Sequence, residues 1–274
     1  MEMKQTSPTL ALEDHNALKR LRSQLEDLCS DIAAKFNLYD KRGKPRNAFI
    51  LNTLMKHSCL GCIVKVFTKP PKWKDIDAIY TENHKLAVNL LTERLQHQLN
   101  KEGFNALVQD EVEDNYGRVD ILIRPINSGV LLKFRESEII IEVKTGKGLS
   151  YAQIFRYLID KPNATMIVWR IKMRQVFTLD QKRTGQLLHA YMETIIRRAT
   201  RLLSDNEITP CNHNPADDKQ FTIKNPQELI DEFISALIET LPRIVEEVMQ
   251  VLKSTSPLPR LTSPQKGFEK RRRR

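Results

Sequence analysis

Between residues 117 and 157 the chain sets two carboxylates, a lysine, a glutamine and a tyrosine into short, strongly apolar segments. Asp120 stands in Val-Asp-Ile-Leu-Ile, Glu142 and Lys144 close the run Ile-Ile-Ile-Glu-Val-Lys, and Gln153-x-x-x-Tyr157 follows at once. An unpaired charge in an apolar strand is costly, so each carboxylate needs a metal ion or a cationic partner. Magnesium usually takes one or two protein carboxylates and fills its other positions with water and substrate phosphates. Such an ion acts as Lewis acid and water activator in phosphodiester hydrolysis. Lys144 lies two residues beyond Glu142, so on a strand both side chains leave one face. Its ammonium can then position the attacking water and stabilise charge in the transition state. The carbonyl of Val143, between them, is a further candidate metal ligand. Alone, Glu-x-Lys is a common surface salt-bridge triplet. The Asp-bearing strand upstream and the polar-marked helix downstream give it weight.

The elements that must position these residues follow from hydrophobic periodicity. A helix is expected over 81–102, ended by Gly103. Strands are expected over 106–113, 119–124 and 139–144, a helix over 151–160 stopped by Pro162, and a strand over 165–171. The order α-β-β-β-α-β packs helices on a mixed sheet, an α/β class. Ahead of it, residues 12–37 predict a helix with Leu18, Leu21, Leu25, Leu28 and Ile32 at coiled-coil spacing. The favoured reading is an amphipathic helix docked on the body, and the alternative is a dimerising helix pair. A turn-rich linker over 39–45, a helix over 47–57, a strand over 63–67 and a proline-rich break over 69–73 come next. A long helix over 185–203, a polar stretch over 204–226 and a helix over 226–253 complete the chain. The division is an N-terminal helical region 1–72, a core 73–205, a helical extension 206–253 and a disordered basic tail 254–274.

Asp120, Glu142-Val143-Lys144 and Gln153-Ile-Phe-Arg-Tyr157, in this order, resemble the PD-(D/E)XK nuclease superfamily. The Gln-x-x-x-Tyr helix is similar to its RecB-like branch. The match covers roughly residues 81–171, about a third of the chain. It implies a restriction-endonuclease-like core and a metal-dependent nuclease. In such a protein Asp120 and Glu142 would bind magnesium or manganese, Lys144 would assist the water, Gln153 would orient the site and Tyr157 would contact the nucleic acid. Arg118-Val119-Asp120 stands where the family's name has a Pro-Asp pair. The family also uses a glutamate on the first core helix. Glu82 and Glu93 lie eleven residues apart, about three helical turns, and so share a face. Glu82 is preferred because Glu82-x-His84-x-x-Ala-Val resembles the family's opening, and His84 is expected against the same site.

Charge agrees with a polyanionic partner. The chain carries a net +10; from Lys253 to Arg274 eight basic residues face Glu269 alone, a contribution of +7 that leaves +3 elsewhere. Basic residues on such a surface gain by releasing counterions from phosphates. DNA is the expected partner, with Tyr157, Arg156, Lys147, Arg170 and Arg174 as contacts. Lys172, Lys182, Arg183, Arg197, Arg198 and Arg201 are further candidates for a phosphate-tracking groove. Four cysteines in 274 residues do not make a disulfide framework. Cys59-Leu-Gly-Cys62 with Cys211 and His213 could form a metal clip. The default reading is unliganded thiols, with no structural zinc or iron–sulfur cluster expected. No apolar run approaches a membrane span, and the N-terminus lacks a secretory layout, so an intracellular, cytoplasmic or nucleoid-associated protein is expected. The expected function is metal-dependent DNA hydrolysis in repair, recombination or mobile-element biology. The alternatives are a dimeric structure-selective endonuclease resembling a Holliday-junction resolvase, and a non-catalytic nucleic-acid-binding module.

Overall fold

Ile121, Leu122 and Ile123 on one strand, and Ile139, Ile140 and Ile141 on the next, are all buried. Runs without a polar face require helices on both sides of the sheet. The computed structural model supplies them and describes residues 8–69, 78–126, 138–146, 148–179, 181–205, 207–208, 211 and 226–255. Strands β1 (Ala106–Asp114), β2 (Gly117–Pro125), β3 (Ile139–Lys144), β4 (Thr165–Arg170) and β5 (Gln175–Thr178) form one sheet in that order. Only β3 and β4 run parallel, and the other neighbours are antiparallel. The described helices are α1 (Pro8–Phe36), α2 (Asn47–Lys56), α3 (Leu60–Thr68), α4 (Ala78–Glu102), α5 (Tyr151–Asp160), α6 (Gln181–Ser204) and α7 (Pro226–Thr255). The chain is thus α/β with a mixed, open, five-stranded sheet.

Two apolar cores lie on the two faces. One gathers Leu25 and Ile32 of α1, Leu51 of α2, Ile63 of α3, Ile154 of α5 and Ile195 of α6 over Leu122, Ile140 and Val168. The other gathers Leu91 and Leu95 of α4 with Ile244 and Val248 of α7 over Ile121, Ile141 and Trp169. Trp169 brings a polar edge into that second core, where its Nε1–H donates to the buried hydroxyl of Thr240 at 2.8 Å. Gly103, at φ 74°, ends α4 as expected: Phe104 N–H reaches back to the Leu99 carbonyl at 2.9 Å.

One expectation needs correction, one strand was not foreseen, and α1 follows the favoured reading of a docked amphipathic helix. Residues 63–67 are helical, not a strand. Their β-branched residues favour a strand. Yet Leu60, Ile63, Val64 and Phe67 fall on one helical stripe that packs into the core, and Phe67 meets Phe36 and Phe49 at ring distances of 5.3 and 5.8 Å. Packing decided against propensity. Strand β5, of four residues, was not anticipated; it follows a tight turn with Arg174 at φ 50°. The leucine seam of α1 gives no support to a dimer, because Leu25 and Ile32 are fully buried in the chain's own core and Leu18, Leu21 and Leu28 pack against it. Accordingly α1, α2 and α3 cover one face of the sheet together with α5 and α6. Among the described residues no helix is long and apolar enough to cross a membrane. The basic tail 256–274 lies outside them.

Candidate active site

The site occupies the place where β2 and β3 part. Their ladder runs from Ile123↔Ile139 to Ile121↔Ile141 and stops there. The next pair would be Asp120 and Glu142. Instead of a ladder bond, Val143 N–H donates to Asp120 Oδ2 at 2.7 Å. On β3 the even-numbered backbone groups serve β4, as the bond from Ile171 N–H to the Lys144 carbonyl shows. A residue's N–H and C=O leave a strand on the same side. The Val143 carbonyl therefore faces the opening beside Asp120.

Asp120 also sits at a crossover of the β1–β2 hairpin. Ala106 and Val108 of β1, with Ile121 and Ile123 of β2, belong to the α4–α7 core. Beyond the crossover, Val119 belongs to the opposite core and Val112 packs against it. Glu111, which lies between the pairs Asp110↔Ile121 and Val112↔Val119 that flank Asp120, has φ 46°, a left-handed conformation that non-glycine residues rarely take. Backbone strain of this kind collects at functional sites, where the surrounding structure holds it in place.

Glu142 is fully buried. Lys144 Nζ lies against Glu142 Oε1, and neither carboxylate oxygen takes a hydrogen bond of normal geometry. Burial first, and then the charge of Asp120, push the Glu142 carboxyl up to about 7. His84 Nε2 stands 3.3 Å from Asp120 Oδ1, and that contact raises the histidine's pKa. From Lys144 a directed chain of hydrogen bonds crosses the opening. Lys144 Nζ donates to Gln153 Oε1 at 2.7 Å, Gln153 Nε2 to the Tyr157 hydroxyl at 2.8 Å, and Tyr157 O–H to the Arg118 carbonyl at 2.7 Å. Gln153 and Tyr157 are one turn apart on α5, so both reach the same side. The chain joins β3 to β2 through α5.

A divalent cation suits this donor set. Two adjacent carboxylates are brought together at the cost of keeping one of them protonated near neutrality, and a carbonyl faces the same opening. The oxygens of Asp120, Glu142 and Val143 are the hard donors that magnesium prefers.

Not every expected residue joins the cluster. Glu82 is exposed and pairs with Lys85 at 3.8 Å, while Glu93 is also exposed. His84 is the α4 side chain that reaches the site. Tyr157 is buried, as is Arg156. Arg156 Nη1 donates to the Tyr116 carbonyl at 2.8 Å beneath the hairpin turn. Gly117 at φ 152° leaves room for it, since a Cβ there would stand 3.2 Å from Arg156 Nη1. Arg170 is in register with Lys144 on β4, on the same face, and binds Gln175 at 3.0 Å. Arg174 pairs with Glu239 at 2.6 Å and Lys172 with Glu232 at 3.2 Å, so α7 carboxylates partly neutralise that edge. Arg198 caps the carbonyls of Leu54 and Met55 at the end of α2. Lys147 and His213 lie outside the described residues. Sequence reasoning missed the strained Glu111 and the Arg118 carbonyl, neither of which carries a residue-type signal.

No protein-family model, curated protein or solved structure matches the chain. The geometry of the site therefore carries the functional argument.

Proposed function

We propose that the chain is a metal-dependent nuclease that hydrolyses the phosphodiester backbone of DNA, in repair, recombination or mobile-element biology. One observation carries the reading: Asp120, Glu142 and Lys144 meet where β2 and β3 separate, and Gln153 and Tyr157 hold the lysine there. Asp120, Glu142 and the Val143 carbonyl would hold magnesium or manganese, which supplies Lewis-acid polarisation and an activated water. The protein's own groups do the remaining work. Asp120 is fixed from two sides, by the Val143 amide and by His84. Glu142 gives up its proton when a cation offsets its burial. Lys144, aimed by Gln153, places a positive charge beside the water and beside the charge that develops on the phosphoryl oxygens. Tyr157 keeps Gln153 in that orientation, a positioning role. Arg170 adds a second cation beside Lys144, and the basic tail adds non-specific attraction to phosphate.

The test is cleavage of labelled linear, circular and four-way-junction DNA by the full chain with magnesium, with manganese and with EDTA. Cutting that requires the metal supports the reading, and the substrate preference sorts exonuclease from endonuclease from junction resolvase. Pure, folded protein that cuts none of them overturns it.

A further inference from the structure

A second cluster of ligand-type side chains lies apart from the carboxylate site. Cys59 and Cys62 meet Cys211, from 149 residues further along the chain than Cys62, and the three sulfurs lie within 4.8 Å of one another. The sequence offered Cys59, Cys62, Cys211 and His213 as a possible clip, with unliganded thiols as the default.

The local structure shows how the three come together. Cys59 is the N-cap of α3 and Cys62 lies three residues on, in its first turn. N-cap and N3 side chains face each other, the arrangement that a capping box exploits. Serine, threonine, aspartate and asparagine are the usual caps. The cysteine here makes no side-chain capping bond to the helix start. Cys62 is buried and Cys59 and Cys211 are half-buried, so the cluster is shielded but reachable by an ion. Ile208, three residues before Cys211, packs against the same core as α3.

We propose that Cys59, Cys62 and Cys211 form a zinc site, supplying three thiolates of a tetrahedron whose fourth position is taken by water. Zinc takes thiolates at about 2.3 Å in a tetrahedron, which sets sulfur pairs about 3.8 Å apart. Three sulfurs within 4.8 Å fit around one such ion, after the Cys62–Cys211 contact of 2.9 Å opens slightly. The same 2.9 Å is too long for a disulfide, whose sulfurs stand about 2.05 Å apart. An iron–sulfur cluster binds its cysteines through separate iron atoms and needs them spread around a larger body. On binding, each thiol proton passes to solvent as its sulfur–zinc bond forms, with no change of oxidation state. The ion would tie the start of α3 to Cys211, beyond the end of α6, on the face of the sheet that also carries α5.

The test uses the full chain, without a histidine tag, purified under reducing conditions and assayed by elemental analysis. About one zinc per chain is expected. Cys62→Ser and Cys59→Ser should lose it and melt earlier, while Glu142→Gln keeps it, which separates this site from the carboxylates. Cobalt titrated into the zinc-stripped parent gives an answer even if the cysteine variants fail to fold. A thiolate-to-cobalt charge-transfer absorption with tetrahedral visible bands is expected. Parent protein without zinc and without that absorption overturns the proposal. So does a Cys62–Cys211 disulfide in protein that carries no zinc.

Discussion

Asp120 Oδ2 accepts the Val143 amide at 2.7 Å, so a β2 side chain takes the hydrogen bond that a β2 carbonyl would otherwise have held. One contact thereby ends the ladder, fixes the carboxylate and leaves the Val143 carbonyl facing the gap. Sheet topology and the candidate chemistry meet at that bond.

The Lys144–Gln153–Tyr157–Arg118 chain predicts a positioning role for a residue remote from substrate. Tyr157→Phe leaves the Arg118 carbonyl without its 2.7 Å donor. It should cost about 1–2 kcal/mol of stability. Cleavage should fall about tenfold as Gln153 loses the hydroxyl that holds it against Lys144. Denaturant melts and single-turnover rates measure the two effects. A rate change with DNA affinity reduced in the same proportion would instead make Tyr157 a strand contact.

Glu142 links metal binding to pH. Its carboxyl titrates at about 7 in the folded chain against an ordinary 4.5, so between those values the folded state holds more protons than the unfolded state. Raising the pH through that window therefore removes stability when no metal is present. A cation needs the ionised form, so the rise in melting temperature with magnesium should grow from about pH 5.5 to about pH 8. Glu142→Gln should flatten both trends. A magnesium effect independent of pH would contradict the assignment of Glu142.

Glu111 offers a test with a sign opposite to strand propensity. Valine is a strong strand former, and Glu111 is a half-exposed strand position. At φ 46° a β-branched side chain is strained. Glu111→Val should destabilise by about 1–2 kcal/mol. Thermal or urea melts decide, and a stabilised variant would mean that the left-handed turn at Glu111 is absent.

The leucine seam of α1 predicts loss of stability rather than loss of a dimer. Leu25 is fully buried against the chain's own core. Leu25→Ala should cost about 2–5 kcal/mol. Sedimentation should show an unchanged oligomeric state. Dissociation at full monomer stability would restore the coiled-coil reading.

The elements around the site were legible because polar residues interrupt apolar runs there. Asp120 in an isoleucine-rich strand and Glu142 after three isoleucines announce themselves as buried charges, and Gln153 and Tyr157 fall one helical turn apart. The same pattern could not show depth. Tyr157 and Arg156 read as surface groups on an amphipathic helix, yet the hairpin turn at Tyr116 and Gly117 closes over them. Glu82 and His84 are two residues apart on α4, and only the rotation of the docked helix selects the histidine. Residues 63–67 carry strand-type side chains whose helical stripe matters only once Phe36 and Phe49 are in place. The meeting of Cys62 with Cys211 depends on the whole layer between them.

The most direct measurement is single-turnover DNA cleavage by the parent, Lys144→Ala and Glu142→Gln, run beside DNA binding. The parent should cut with magnesium, and both variants should lose about 10²–10³-fold or more. DNA affinity should change little, since neither change removes a phosphate contact of the basic tail. A Glu142→Gln protein that cuts as fast as the parent would contradict the account.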